Sequence, residues 1–550
     1  AETFILTGYR VDKAYYFLSS EEREIGMDGD EMKFVGENYS LSMYPSEAVT
    51  LRYRLDAYFP EDTKVVFESS NENIVTVDET GKITAVAEGF ASVAVKVMMD
   101  GQPTFFSASI SIEVKDPYVN AGPTLTHYFG NGGLVHLPTD LAITEIGAYA
   151  FTNSHYIDKG PMDEISEDMP ETTKVWYRGE GKEIEEIVIP EGVKTIGAFA
   201  FADMTGLKKI TLPSTLERID QGAFLGCTSL KTVVGLENVK FINQRAFENC
   251  GLVGTINLSK VVAVADYAFQ GCSYLSGVTL STETQSVGAY AFAGAKALKS
   301  VTIPAEKIKL GRYAFSGCTS LPSIKLNVAV VPAGTFDGCT SLASITLGKD
   351  VSVIGEYAFR GTALTSFTVD AGNTALKTVT GVPYLLNAAG DTLLVVAPGV
   401  TGTFSLADVK VTTIGTGAFS GNEKLTAVHM PQVTVVGAHA FSDCSALTTI
   451  TLGRLTAIGD YGFAGTGIRT TPNLITVTSF GEYAFAGSKL TAVTIPAGFV
   501  VSANAFRECQ SLTSVTIDDG AVIGTDAFRL DIDNNFKQDH NGESGTDRRF

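Results

Sequence analysis

Seven cysteines, six histidines and one Asp-x-Asp-x-Asn run are the residues of this 550-residue chain whose types could do chemistry. Thiolates and imidazoles bind metal when they converge on one point, and act as nucleophile and base when one activates the other. His127, His136, His155, His429, His439 and His540 form no His-Glu-x-x-His pattern, and the chain holds neither a Gly-x-Ser-x-Gly elbow nor a phosphate loop. Cys227, Cys250, Cys272, Cys318, Cys339, Cys444 and Cys509 each follow a phenylalanine by three residues, at a position that elsewhere holds Ser154, Ala295, Thr466 or Ser488. One such residue per stacked strand makes a row, not a convergent ligand set. Neighbouring Cβ atoms about 4.8 Å apart also exceed the ~3.5–4.5 Å of a disulfide. The position therefore calls for a small corner residue, and the thiols are expected to be free, buried and structural. No catalytic residue, cofactor or metal site is expected. Asp531, Asp533 and Asn535 have calcium-loop spacing, but Phe536 replaces the turn glycine and Glu543 comes one place late. Residues 531–550 read instead as a polar C-terminal cap or tail.

The cysteine row exists because the chain repeats. "DQGAFLGCTSLKTV" at 220–233 and "GRYAFSGCTSLPSI" at 311–324 are two of fifteen copies, aligned on phenylalanines from Phe151 through Phe201, Phe292 and Phe419 to Phe528. Apart from two longer gaps the spacing is 21 to 23 residues, and five positions before each Phe stands an apolar residue. A fixed period of this size marks a solenoid, in which no unit buries its own apolar face and stacking completes the core. The Leu-x-x-Val-x-Ile alternation predicts a short parallel strand, with a phenylalanine spine along the opposite wall. Little helix is expected.

Two interruptions break the period. The first, near 152–186, is acidic and carries the only tryptophan; the second, near 370–408, reads as strand, turn at Ala389–Asp391, and strand. Before the repeats, residues 1–116 alternate as short strands with a tight turn at Glu79-Thr80-Gly81, the pattern of a β-sandwich, and 117–140 read as linker and N-terminal cap. The chain carries 41 basic against 61 acidic residues, a net charge of −20, which argues against nucleic acid or anionic lipid as partner. No apolar run approaches the ~20 residues that span a bilayer. The chain starts at Ala1, which reads as a processed product.

Residues 68–96, "ESSNENIVTVDETGKITAVAEGFASVAVK", resemble the bacterial immunoglobulin-like group 2 domain. Residues 141–530 resemble the BspA-type leucine-rich repeats, whose units read Ile-Gly-x-x-Ala-Phe-x-Gly-Cys-x-x-Leu-x-x-Val-x-Ile-Pro. Asp220 and Asn243 depart from that pattern where glycine is common. The resemblance implies a mostly β chain, with an Ig-like sandwich followed by a leucine-rich-repeat solenoid. It also implies a non-enzymatic bacterial protein, secreted or at the cell surface (outer membrane) after removal of a signal, with peripheral or lipid-anchored membrane association. Adhesion to host extracellular matrix, a glycan or other cells is the function it implies. An accessory or enzyme acting on surface polysaccharide, and a structural envelope protein, are the alternatives.

The binding residues themselves must be read from the pattern. Strand positions flanking the central core residue face outward, giving a ladder of Lys209, Thr211, Asn257, Thr279, Thr302, Lys325, Thr346, Thr368, His429, Thr451, Thr494 and Thr516. Threonine is also simply a good exposed strand residue. Interface anchors are usually Tyr, Trp or Arg, which makes Trp176, Tyr177 and Arg178 in the first interruption a second candidate.

Overall fold

The computed structural model describes residues 2–6, 14–18, 21–25, 27–28, 31–32, 40–45, 48–55, 63–129, 134–151, 184–303, 308–378, 381–477 and 479–530. The contacts divide the chain into two units, residues 1–216 with 223–234, and residues 217–222 with 235–550.

The first unit opens with two sheets. Strands Ala48–Leu55, Lys82–Ala85 and Val75–Val77 lie consecutively in one, and Ser40–Met43, Gln102–Val114, Gly89–Met99 and Lys64–Ser69 in the other. The alternation in Gly89–Met99 turns Val93, Val95 and Val97 inward. Val93 and Val95 pack with Ile110, Ile112, Val75 and Ile83 to fill an Ig-like sandwich core. The turn predicted at 79–81 is closed by Asp78, whose Oδ1 accepts from the Thr80 and Lys82 amides.

Within residues 117–140, read as linker and N-terminal cap, strands form. Tyr118–Ala121 pairs antiparallel with Thr124–Tyr128, which pairs parallel with Glu145–Ile146. The hairpin thereby covers the first rung, and Tyr128 heads a column of stacked rings continued by Phe151, Phe201 and Phe224 at 4.8, 4.8 and 5.1 Å. A solenoid end needs such a cover, because its edge strand otherwise presents unpaired backbone groups.

The second unit repeats one rung. A two-residue parallel strand such as Ser286–Val287 leads into a corner, and a return segment leads to a longer parallel strand such as Ser300–Thr302. Glycine opens the corner for steric reasons: a Cβ on Gly311 would stand 2.2 Å from the Ala289 nitrogen of the preceding rung. The residue two before each Phe then takes the left-handed conformation, for example Tyr290 at φ 56° and Tyr313 at φ 57°. In the regular rungs the Phe amide donates to the carbonyl of the residue before the next Phe, usually alanine, as in Phe269 to Ala291 and Phe292 to Ala314 at 2.7 and 2.8 Å, and otherwise Thr335 or Gly462. Rings from Phe247 to Phe359 stack at 5.2–6.1 Å and within 6° of parallel. Those from Phe419 to Phe528 stack at 4.7–5.3 Å. All fourteen phenylalanines from Phe151 to Phe506 are fully buried, the interior spine the sequence predicts. Among the described residues the helical segments are two three-residue 3-10 turns.

The second interruption is a hairpin within the stack. Tyr384–Asn387 and Thr392–Val396 pair antiparallel, and the latter is parallel to Thr413–Ile414. This rung has no corner of the usual kind: Val396, not a phenylalanine, donates its amide to Ala418 O. The column is consequently interrupted here: Phe359, stacked on Phe336, meets Phe367 tilted by 56° on its other side, while Phe419, stacked on Phe441, meets Phe404 edge-on.

Candidate functional site

The outward ladder is in register. Glu186, Lys209 and Thr232 are direct partners across three strands, as are Asn257, Thr279 and Thr302, then Lys325, Thr346 and Thr368, and Ser405, His429 and Thr451. Thr494 and Thr516 pair in the last strands. Parallel pairing at about 4.8 Å sets one such side chain per rung. Lys209, Thr211 and Thr346 are half-buried, and the other ladder residues are exposed. Lys209 is held by Glu186 at 2.5 Å, and its neighbour Lys208 by Glu185, so the charges at this end are mutually neutralised. The rest is a hydroxyl-rich face. Trp176, Tyr177 and Arg178, like the tail residues Asp531, Asp533 and Asn535, lie outside the described residues.

A second row escaped the sequence reading. The left-handed corner residues are largely aromatic, and half-buried rings of Tyr267, Tyr290 and Tyr313 stack at 5.1 and 5.0 Å. His439, Tyr461 and Tyr483 do so at 4.7 Å each. A left-handed L-residue costs about 1–2 kcal/mol, and ring stacking offsets part of that. The signal was the Tyr two places before Phe. At the cornerless rung, Tyr357 spans the gap: its Oη and His439 Nδ1 share a hydrogen bond of 2.7 Å, and Arg360 lies over its ring at 4.8 Å. Burial raises the Tyr357 phenol above its ordinary range.

The cysteine row is explained by the same geometry. All seven thiols are free and buried. Sγ of Cys272, Cys339 and Cys444 donates to the carbonyl of Phe247, Phe315 and Phe419, one rung back, at 3.1 Å each. Burial pushes Cys272 and Cys444 up to about 12, which keeps them as unreactive thiols at neutral pH. Asp220 and Asn243, the departures from glycine, bond each other at 2.7 Å.

The profile described as BspA type Leucine rich repeat region matches residues 177–263, 262–380 and 412–533. The chain belongs to that family. The BspA-type match stops where the cornerless rung begins and resumes after it. Residues 46–103 match the Bacterial Ig-like domain (group 2). No match to curated proteins is found. Solved structures similar to this BspA-type chain include a leucine-rich cell surface protein of Faecalibacterium prausnitzii, 24% identical over 74% of this chain and 94% of that one, TM-score 0.45. Others are a leucine-rich repeat protein of Bacteroides ovatus, 21% identical over 74% and 86%, TM-score 0.40, and the pneumococcal vaccine antigen PcpA, 19% identical over 62% and 89%, TM-score 0.36.

Proposed function

We propose that this chain is a non-enzymatic bacterial interaction protein, secreted or at the cell surface, that binds a host or bacterial surface protein or glycan through the outward strands of its solenoid. The observation that carries this reading is the in-register row of Lys325, Thr346 and Thr368 and of Ser405, His429 and Thr451 on strands whose other face is core. Such a row presents hydrogen-bonding groups at a constant pitch to an extended partner while the buried face keeps the strands rigid. Family membership supports the same reading.

The test is binding of the purified chain to a panel of matrix proteins, mucins and bacterial cells. At least one surface is expected to retain it, and the double variant Thr346→Arg/Thr451→Arg, which places bulky charge on the face, is expected to weaken retention about tenfold or more. Failure of the native chain to bind any member of the panel, or undiminished binding by the variant, overturns the proposal.

A further inference from the structure

The cornerless rung leaves a cavity of about 700 Å³, within the ~300–1,000 Å³ range of small-ligand sites. It opens where the corners ending at Phe359 and Phe419 lie side by side, so close that a Cβ on Gly421 would meet Arg360 Cγ at 2.5 Å, while the segments that follow them diverge around Pro398. Its wall includes Asp337, Arg360, Thr362, Glu423, Lys424 and Asp443. Arg360 is already answered by Asp337 through a two-point bond at 2.8 and 2.6 Å.

The corners that flank the cavity are irregular inside as well. Thr362 and Asn422 occupy the corner position that cysteine fills in regular rungs, and both are buried, at 7% and 1% exposure. In the regular rungs this position is satisfied, whether by Cys339 on Phe315 O at 3.1 Å or by Thr466 on Phe463 O at 2.7 Å. Here the Thr362 hydroxyl and the Asn422 Nδ2 have no hydrogen-bond partner; both atoms are closed to solvent, and Thr362 contributes to the cavity wall through its other atoms. An unanswered buried polar group costs about 1–3 kcal/mol, and each of the two flanking corners carries one.

From these residues we infer that the cavity is a subsite for an uncharged, hydroxyl-rich ligand, a saccharide unit of a glycan chain. The wall excludes the other classes. An anion would face Glu423 and Asp443, a cation would face Lys424, and an apolar ligand would find little beyond Pro398. Among the described residues no group of three or more His, Cys, Asp or Glu could hold a metal ion. Sugar hydroxyls donate and accept at once, so they can give to the two carboxylates and take from the Lys424 ammonium without burying a net charge. The inference deepens the surface-interaction reading by naming a glycan as one partner, and rests on that reading only for where the sugar comes from.

The experiment is calorimetric titration of the whole chain with cellobiose, lactose and N,N′-diacetylchitobiose, with sialyllactose and a sulfated heparin disaccharide alongside. At least one neutral sugar is expected to bind. Asp443→Asn, whose side chain suits the left-handed backbone there, and Lys424→Ala are each expected to weaken it about tenfold, while Lys299→Ala, exposed and remote from the cavity wall, leaves it unchanged. Circular dichroism confirms that each variant is folded, and Glu423→Gln serves in place of any that is not. Lack of binding by all three neutral sugars overturns the inference, as does binding that survives the substitutions, or a preference for the charged sugars. Surface retention measured on the same samples separates the two claims: a chain that still adheres but binds no sugar here loses only this site.

Discussion

The rungs from Phe247 to Phe336 and the cornerless rung between Thr362 and Val411 are built from the same kinds of residue and end in opposite conditions. In the regular rungs each ring faces a ring, each Phe amide meets a carbonyl one rung on, and each corner thiol meets one a rung back. In the other, the missing corner interrupts the column between Phe359 and Phe419, and the flanking corners leave Thr362, on a cavity wall, and Asn422 without hydrogen-bond partners for one polar atom each. Repetition satisfies most interior groups by giving each an identical neighbour; Glu248 Oε2, which has an ion pair with Arg245 at 3.6 Å but no hydrogen bond, is an exception in the regular rungs. A solenoid therefore obtains a concave site most readily where the repeat fails.

The contrast can be broken most forcefully at the spine. Phe292 is sandwiched between Phe269 and Phe315, and Phe292→Ala is expected to cost about 3–5 kcal/mol, read as a lower midpoint in urea. Equal tolerance of Phe292→Ala and an exposed-strand change such as Thr302→Ala would deny the spine its role.

Corner glycines come next. Gly311→Ala drives a methyl to 2.2 Å from backbone and should cost about 1–3 kcal/mol, whereas Gly372→Ala in the irregular segment meets only side-chain atoms, the Asp370 carboxylate at 3.3 Å and Lys349 Cβ at 3.6 Å, and should cost under about 0.5 kcal/mol. Thermal melts of the two variants measure the difference.

Polar satisfaction gives a smaller and sign-changing effect. Thr466→Val removes a hydroxyl bonded to Phe463 O and should destabilise by about 1 kcal/mol, while Thr362→Val removes one with no partner and should be neutral or stabilising by a similar amount. The smallest effect belongs to the hairpin turn. The Asn387 and Thr392 side chains hold the Asp391 carboxyl below its ordinary value of 3.8. Its contribution is therefore present above that value and is lost as pH falls through the folded one. Asp391→Asn should lower the melting temperature slightly at pH 7 and leave it unchanged at pH 2.

Much of this was legible in the letters. The phenylalanine period gave the spine, the Leu-x-x-Val-x-Ile alternation gave the strands, and the cysteine offset gave a buried corner. These are nearest-neighbour properties, and the neighbour of each rung is a copy of itself. The left-handed tyrosines were visible as letters but not as a stacked row, because their conformation follows from the glycine-opened corner. The cavity was hidden for a different reason. It depends on the absence of a corner between Leu393 and Val396, which brings Arg360 beside Gly421 across some sixty residues of sequence. The hairpin at 384–396 could be read; the space it leaves in the stack could not.

The last described strands show what such a self-copying interior offers to a following turn. Ile495 and Val501 are sealed, yet Ile517, Val522 and Ile523, one rung later, stand 43%, 58% and 39% open. Every added turn would seal its predecessor and expose a surface of the same kind, so the interior never signals completion. The number of turns can thus drift by gene duplication without redesign of the bonding, and stopping must be imposed by something that is not itself a turn, as the Tyr118–Tyr128 hairpin does at the other end.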